Sequence, residues 1–163
     1  MHVKELMTHP VVTCQTGDHL DVPARLMWEY DCGIVPVVGA EGRLEGVITD
    51  RDITMAALLK GQRLDQLPVE GAMARELLIV HPEESIETVE QLMRDGQVRR
   101  VPVVDPERRA VGMVSLSDLA QVTARARKSG PDRELVATLA AVARPRISER
   151  SAKAEPRAKL VGV

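Results

Sequence analysis

Residues 3–58 of the chain recur as residues 69–124 without a gap, every position meeting its counterpart 66 residues later (69 − 3). Internal repetition of this kind constrains the fold before any other feature, because each copy must form the same small unit. We expect the two copies to pack about a pseudo-twofold axis. Among the matched positions are Met7 and Met73, Leu26 and Leu92, Val35 and Val101, Gly46 and Gly112, and Asp52 and Asp118.

Size and composition indicate how the copies are stabilised. Units of fewer than about 60 residues are marginal as independent domains, so two copies in a 163-residue chain are expected to share one core. Aliphatic residues and Met must fill that core, because the chain has one Trp, one Tyr and no Phe. With so few rings, recognition of single-stranded nucleic acid by base stacking is excluded.

Charge is distributed unevenly. Residues 1–124 carry 12 Lys/Arg and 20 Asp/Glu, a balance of −8, whereas residues 125–163 carry 10 and 4, a balance of +6. We expect the basic tail to meet acidic surface of its own or a neighbouring chain, with nucleic-acid contact only weak. No apolar run reaches about 18 residues and no secretory leader is recognisable, so we expect no membrane contact and a cytoplasmic location.

The residue pattern of each copy predicts the element order helix, strand, helix, strand, strand, helix. This order indicates an α/β (α+β) fold. The first strands are expected at 11–13 and 77–80, and Ser85 is expected to cap the helix that follows. The predicted organisation is a first repeat at 1–61, a linker at 62–68, a second repeat at 69–127 and a basic extension at 128–163. That extension includes a possible short helix at 132–143. His81, before Pro82 in a turn, is expected to face solvent.

A shared motif lies where the last strand of each copy runs into its last helix. It reads Gly, two apolar residues, Thr or Ser, two further residues and Asp, ending at Asp52 in one copy and Asp118 in the other. Thr/Ser-x-x-Asp is first of all a helix-capping pattern. The same geometry also suits a ligand, because a helix start attracts phosphate and a carboxylate accepts hydrogen bonds from a ribose diol. On this interpretation Gly46 and Gly112 let the ligand approach the strand.

The Val-Pro-Val-Val strand, the Gly-x-x-Thr/Ser-x-x-Asp junction and the order of elements, all present twice, resemble the CBS domain pair, or Bateman module, over residues 1–126. The resemblance implies tandem repeats, each a small three-stranded sheet flanked by helices. It implies AMP, ADP, ATP or S-adenosylmethionine as ligand in clefts between the copies, a role in energy sensing, a homodimer formed through helical faces and a protein target. The ligand-binding residues that it implies are Val12, Thr49, Arg51, Asp52, Leu78, Arg99, Arg100, Ser115, Ser117 and Asp118.

The first copy departs from this pattern at the positions of two cations. Gly33 and Ile34 stand where the second copy has Arg99 and Arg100, so the two sites are expected to differ in affinity. Arg51 is a candidate to compensate, although an Arg at a helix start is more often simply solvated.

Other functional classes find less support in the residues. No activated nucleophile or paired base accompanies the carboxylates, so catalysis is not expected. No Cys or His spacing is typical of a metal site, so no metal is expected, and no cofactor is required. The serious alternative is a dimeric protein-interaction scaffold without small-molecule control, in which both junction motifs would only cap helices.

Overall fold

The computed structural model describes residues 1–126 of the chain, with side chains as far as Thr123. The basic extension at 128–163 and its possible helix at 132–143 lie outside the described residues. The elements, in chain order, are β1 (Cys14–Gln15), α1 (Asp21–Glu29), β2 (Ile34–Val38), β3 (Leu44–Thr49), α2 (Asp50–Lys60), α3 (Ile86–Gly96), β4 (Arg100–Val104), β5 (Ala110–Ser115) and α4 (Leu116–Ala126). Short 3-10 segments open each copy at Val3–Glu5 and Val69–Gly71.

The chain forms two compact units, and these do not coincide with the sequence repeats. The first-repeat unit contains Val12–Leu77 and Glu107–Ala110. The second-repeat unit contains Met1–Val11, Leu78–Pro106 and the described residues from Val111 onward. The opening segment of each copy therefore belongs to the unit that holds the other copy's sheet.

A buried valine anchors each of these exchanged segments. Val3 is fully buried in the core of the second-repeat unit, and its amide donates to the Glu84 carbonyl at 2.9 Å. Val69 occupies the equivalent place in the core of the first-repeat unit, and its amide donates to the Asp18 carbonyl at 2.9 Å. Burial of each valine side chain stabilises its core by roughly 1.5–3 kcal/mol relative to an exposed one. The described residues therefore form two cores where one shared core was expected, and neither is complete without a segment from the opposite repeat.

The sheet of the first-repeat unit has three strands in the order β1, β2, β3. β1 pairs with β2 in parallel, Cys14 opposite Val37, and β2 pairs with β3 antiparallel, Ile34 opposite Thr49. The strand expected at 11–13 lies instead at Cys14–Gln15, where its two residues pair with Val37 and Val38 at the end of β2.

The second-repeat unit has a two-stranded sheet, β4 with β5, and the strand expected at 77–80 is reduced to one bridge between Val80 and Val103. Proline explains the difference. In the first-repeat unit the Thr16 amide donates to the Val38 carbonyl at 3.1 Å, but its counterpart Pro82 has no N–H to donate. The ring of His81 substitutes: its Nδ1 lies 3.0 Å from the Val104 carbonyl and must donate to it. The expectation that His81 faces solvent was therefore wrong.

The helices largely follow the sequence signals. Ser85 caps α3 as expected, its hydroxyl accepting from the Thr88 amide at 3.4 Å. Gly61, in the left-handed region at φ 60°, ends α2. Gln97, also in the left-handed region at φ 50°, ends α3. None of the described helices combines the length and apolar character needed to cross a bilayer.

Candidate functional site

At the junction of β3 and α2, the carboxylate of Asp52 is fixed by the residue that caps its helix. Asp52 Oδ2 accepts from the Thr49 amide at 2.9 Å and from the Thr49 hydroxyl at 2.7 Å. The Asp52 amide donates back to Thr49 Oγ1 at 3.2 Å. This reciprocal capping box confirms the helix-capping interpretation of the motif. It also uses only one of the two carboxylate oxygens.

The junction of β5 and α4 repeats this geometry almost atom for atom. Asp118 Oδ2 accepts from the Ser115 amide at 2.8 Å and from the Ser115 hydroxyl at 2.6 Å, and the Asp118 amide donates to Ser115 Oγ at 3.2 Å. Within residues 1–126, Oδ1 of Asp118 and Oδ1 of Asp52 have no hydrogen-bond partner. Both carboxylates are half-buried. Each junction thus presents one oriented acceptor oxygen.

The glycine that opens the motif has a different role from the one expected. A Cβ added to Gly46 would lie 2.8 Å from Met73 Sδ and 2.9 Å from the Ala74 carbonyl oxygen. Ala74 is held there by two backbone hydrogen bonds with Val47, at 3.0 and 2.8 Å. The segment with Met73 and Ala74 therefore covers this face of β3 and leaves no open space for a ligand there. The expectation of close ligand approach at Gly46 was wrong.

Gly112 is covered in the same way in the second-repeat unit. A Cβ there would lie 2.7 Å from Met7 Sδ and 3.2 Å from the Thr8 carbonyl oxygen. Thr8 is bonded to Met113 through both its amide and its carbonyl, at 2.9 and 3.1 Å. At both motif positions the absence of a Cβ leaves room for an exchanged opening segment against the strand. Each contact joins the Met of one copy to the Gly of the other, Met7 to Gly112 and Met73 to Gly46. The recurrence of both residue types in the two copies was a signal for this contact, and reasoning from the junction motif alone missed it.

Arg99 and Arg100 lie directly beside the start of α4. The Leu116 amide, the first of that helix, donates to the Arg99 carbonyl at 2.9 Å, and Arg100 is the first residue of β4. Arg99 is exposed and Arg100 half-buried. In the part of the chain that the structure describes, neither guanidinium has an ion-pair or hydrogen-bond partner. Two arginines without a partner among the described residues are therefore attached to backbone that adjoins the helix carrying Asp118.

The corresponding place beside α2 has no cation from the strand. Gly33 occupies it, and its carbonyl accepts from the Asp50 amide at 3.3 Å. The Asp50 carboxylate accepts from the Arg51 amide at 2.8 Å, so an acidic side chain already caps the start of this helix. Arg51 itself is exposed.

Of the three remaining expected residues, two are partly exposed apolar side chains and one is a hydroxyl on α4. Val12 is half-buried just before β1, and Leu78, 37% exposed, packs against Gly96, where a Cβ would collide with its Cδ1. The half-buried Ser117 hydroxyl accepts from Gln121 Nε2 at 3.2 Å along α4. All expected residues of one junction belong to one compact unit: Val12, Thr49, Arg51 and Asp52 to the first-repeat unit, and Leu78, Arg99, Arg100, Ser115, Ser117 and Asp118 to the second-repeat unit.

The thiols and metal-binding groups give no second site. Burial raises the pKa of the Cys14 thiol to about 12, with the nearby Asp18 carboxylate adding to the shift. This thiol belongs to the core of the first-repeat unit. Among the described residues, no group of three or more His, Cys, Asp or Glu side chains is arranged to hold a metal ion.

Comparison with solved structures finds the same fold in proteins whose bound ligands or metal ions are known. The CBS domain pair of protein MJ0100, in complex with 5'-methylthioadenosine and S-adenosyl-L-methionine, superposes with a TM-score of 0.70 at 27% identity, covering 78% of this chain and 98% of that one. Hypoxic Response Protein I, with two coordinated zinc ions, superposes with a TM-score of 0.68 at 31% identity, covering 74% and 98%.

Curated relatives include both short and much longer proteins. The CBS domain-containing protein YhcV of Bacillus subtilis is 41% identical over 118 residues, which are 72% of this chain and 82% of that protein. A homoserine O-acetyltransferase of Methanohalobium evestigatum is 28% identical over 121 residues, but the chain spans only 24% of its length. A family model for the CBS domain matches residues 3–59 and again 69–125. The chain belongs to the CBS domain family and carries two copies of that domain.

Proposed function

We propose that this CBS pair is a regulatory module that senses an adenosyl compound, either an adenine nucleotide (AMP, ADP or ATP) or S-adenosylmethionine and its relatives. The observation that carries the proposal is the fixed carboxylate at each helix start, with Oδ2 held by the cap and Oδ1 without a partner among the described residues. An oriented carboxylate oxygen is a suitable acceptor for ribose hydroxyls. The ligands of the MJ0100 pair, both adenosyl compounds, support this choice of ligand class.

The surroundings of each carboxylate fit the other parts of such a ligand. Leu78 and Val12 offer partly exposed apolar surface for an adenine ring in their respective units. Arg100, without an ion-pair partner among the described residues, offers a guanidinium to phosphate. Because these groups bind and orient without providing a nucleophile or a paired base, the proposed role is regulation rather than catalysis.

Thermal melting of the full chain with and without ligand tests the proposal. A ligand that binds the folded state alone stabilises it, by about 2.7 kcal/mol when its concentration is 100 times Kd. We expect the melting temperature to rise with at least one of AMP, ATP, S-adenosylmethionine and 5'-methylthioadenosine at millimolar concentration. Asp118→Ala and Asp52→Ala combined should abolish the rise. Absence of any shift in the wild-type protein would leave the proposal without support.

A second candidate function is a dimeric scaffold that binds a protein target, and one surface favours it. α1 and α2 of the first-repeat unit expose large apolar side chains, including Leu58 at 72% and Leu59 at 76% exposure, with Trp28 and Met55 also exposed. Exposed apolar surface of this kind is typical of interaction sites. A homodimer formed through these helices is compatible with ligand sensing.

A double variant in this surface separates ligand binding from association. Leu58→Glu with Leu59→Glu should convert a dimer to a monomer in sedimentation equilibrium. If ligand binding persists in the monomer, sensing and association are separate functions of the molecule. If the wild-type protein is already a monomer at micromolar concentration, the dimeric scaffold is excluded.

A further inference from the structure

We infer that the two junctions select their ligands by charge: the α4 junction takes a phosphorylated adenosyl compound, and the α2 junction takes one without phosphate, neutral or carrying a sulfonium. This inference rests on the proposed function and specifies the ligand class of each site. It depends on positions where the two copies differ, since their capping boxes are equivalent and cannot discriminate.

The balance of formal charge around the two capping boxes is opposite. At the α4 junction Arg99 and Arg100 contribute +2 and Asp118 contributes −1, which gives +1. At the α2 junction Asp50 and Asp52 contribute −2 and Arg51 contributes +1, which gives −1. A phosphate dianion is attracted to the first and repelled by the second, and a sulfonium is affected in the opposite sense.

The backbone amides at the two helix starts strengthen this difference. At α2 the first three amides are all satisfied: Asp50 donates to the Gly33 carbonyl, Arg51 to the Asp50 carboxylate and Asp52 to Thr49 Oγ1. The Asp50 carboxylate therefore occupies the place that an anionic ligand would take. An arriving phosphate would have to displace a carboxylate that is already bonded there.

At α4 the amide equivalent to that of Arg51 has no hydrogen-bond partner among the described residues. Leu116 donates to the Arg99 carbonyl and Asp118 to Ser115 Oγ, but the Ser117 amide between them has no partner among the described residues. Leu116 stands where α2 has Asp50, so no side-chain carboxylate competes for that amide. A helix start with a free N–H, beside two arginines on the adjoining backbone, is suited to bind phosphate. Two independent differences, in cations and in amide satisfaction, thus favour phosphate at the same junction.

Single-junction variants and two probes test the assignment. AMP and 5'-methylthioadenosine share the adenosine group and differ in whether they carry phosphate. Isothermal titration calorimetry on Asp52→Ala, in which the α4 junction is intact, should retain AMP binding close to wild type. Asp118→Ala should retain 5'-methylthioadenosine binding and weaken AMP binding at least tenfold. Asp118→Asn, which keeps a side-chain oxygen for the cap, serves if Asp118→Ala fails to fold.

A transplant of first-copy residues isolates the cations. Arg99→Gly with Arg100→Ile installs the residues of the first copy, and we expect it to weaken AMP about 10- to 100-fold, since a hydrogen bond to a charged group is worth about one to two powers of ten. 5'-Methylthioadenosine should change less than about threefold. Arg94→Ala is the matched control, because it removes an exposed cation of the same unit that lies on α3 outside the junction. AMP binding should not respond to it.

The outcomes distinguish this inference from the function on which it rests. If AMP binds equally well through both junctions, or is lost in Asp52→Ala and kept in Asp118→Ala, charge selection is wrong while adenosyl sensing stands. If the transplant weakens both probes equally, the arginines act on folding or on adenosine and not on phosphate. If wild-type protein binds neither probe, the proposed function and the inference fall together.

Discussion

Gly46→Ala should destabilise the protein, although alanine is the better residue in a regular strand. Gly46 does not have a positive φ, so alanine is free to adopt its backbone conformation. The cost is steric: the new Cβ would lie 2.8 Å from Met73 Sδ and 2.9 Å from the Ala74 carbonyl oxygen. The sulfur belongs to a flexible side chain, but the carbonyl is backbone and its residue is bonded twice to Val47.

The expected magnitude is the difference of two effects. Overpacking a closed contact typically costs about 1–3 kcal/mol. Loss of glycine's freedom in the unfolded chain offsets roughly 0.4–1 kcal/mol of that cost. We therefore expect a net loss of up to about 2.6 kcal/mol, which for a chain of this size lowers the melting temperature by up to roughly 10 °C.

Three comparisons make the assay specific, each measured by urea unfolding and thermal melting. Gly17→Ala is the control, because its Cβ would meet nothing within 4 Å, and we expect it to be neutral or slightly stabilising. Gly112→Ala should cost less than Gly46→Ala, because the nearest carbonyl is 3.2 Å away and the closest atom belongs to the half-buried Met7. Adding Met7→Ala should relieve Gly112→Ala, whereas Met73→Ala should relieve Gly46→Ala only in part.

The opposite pattern would refute this account of the glycines. If Gly46→Ala is as stable as the wild type but binds an adenosyl ligand more weakly, the glycine serves ligand approach after all. If Gly112→Ala is the more damaging of the two, the carbonyl distances do not determine the cost.

Three further predictions concern single side chains. Asp118→Ala should reduce the free energy of unfolding by about 0.5–2 kcal/mol, the usual value of a helix cap, and Asp118→Asn should reduce it less. An unchanged melting curve for both variants would show that the capping box of Ser115 and Asp118 does not contribute to stability. His81→Ala should cost about 0.5–1.5 kcal/mol through loss of the bond to the Val104 carbonyl, and a fully stable variant would contradict the proposed substitution for the missing Pro82 amide. Cys14, with its pKa raised to about 12, stays protonated at pH 8 and should resist iodoacetamide until the protein unfolds; alkylation of the native protein at this thiol, seen by mass spectrometry, would contradict its burial.

The elements predictable from sequence were those with strong local signals. The order of elements from α1 to α2 and from α3 to α4 is the predicted one, and Ser85 caps α3, since apolar runs and a hydroxyl before a periodic stretch act locally. The first strand of each copy was misplaced or lost because its pairing depends on donors elsewhere in the chain. Pro82 is visible in the sequence, but its consequence requires knowing that residue 82 faces the Val104 carbonyl.

The exchange of opening segments was beyond local reasoning for a similar cause. Nothing in the residues around Val3 distinguishes packing on the first sheet from packing on the second, because both copies present equivalent valines and glycines. Only long-range contacts decide between them. The capping function of Thr49 and Ser115, by comparison, is determined within four residues and was predictable.

Duplication within one chain separates the residues that maintain the fold from those that select a ligand. Both copies keep the glycine under the exchanged segment, the hydroxyl of the cap and the carboxylate that it fixes, so a change in any of these should affect stability in either unit. Positions where the copies differ are not required for the fold that both copies share. Around the start of α4, Arg99, Arg100 and Leu116 stand where the first copy has Gly33, Ile34 and Asp50, and all three differences favour an anion. Ser117 stands where the first copy has Arg51, and this difference works the other way. Because the net difference of +2 in formal charge favours an anion at α4, we interpret these positions as the determinants of ligand choice that charge selection requires.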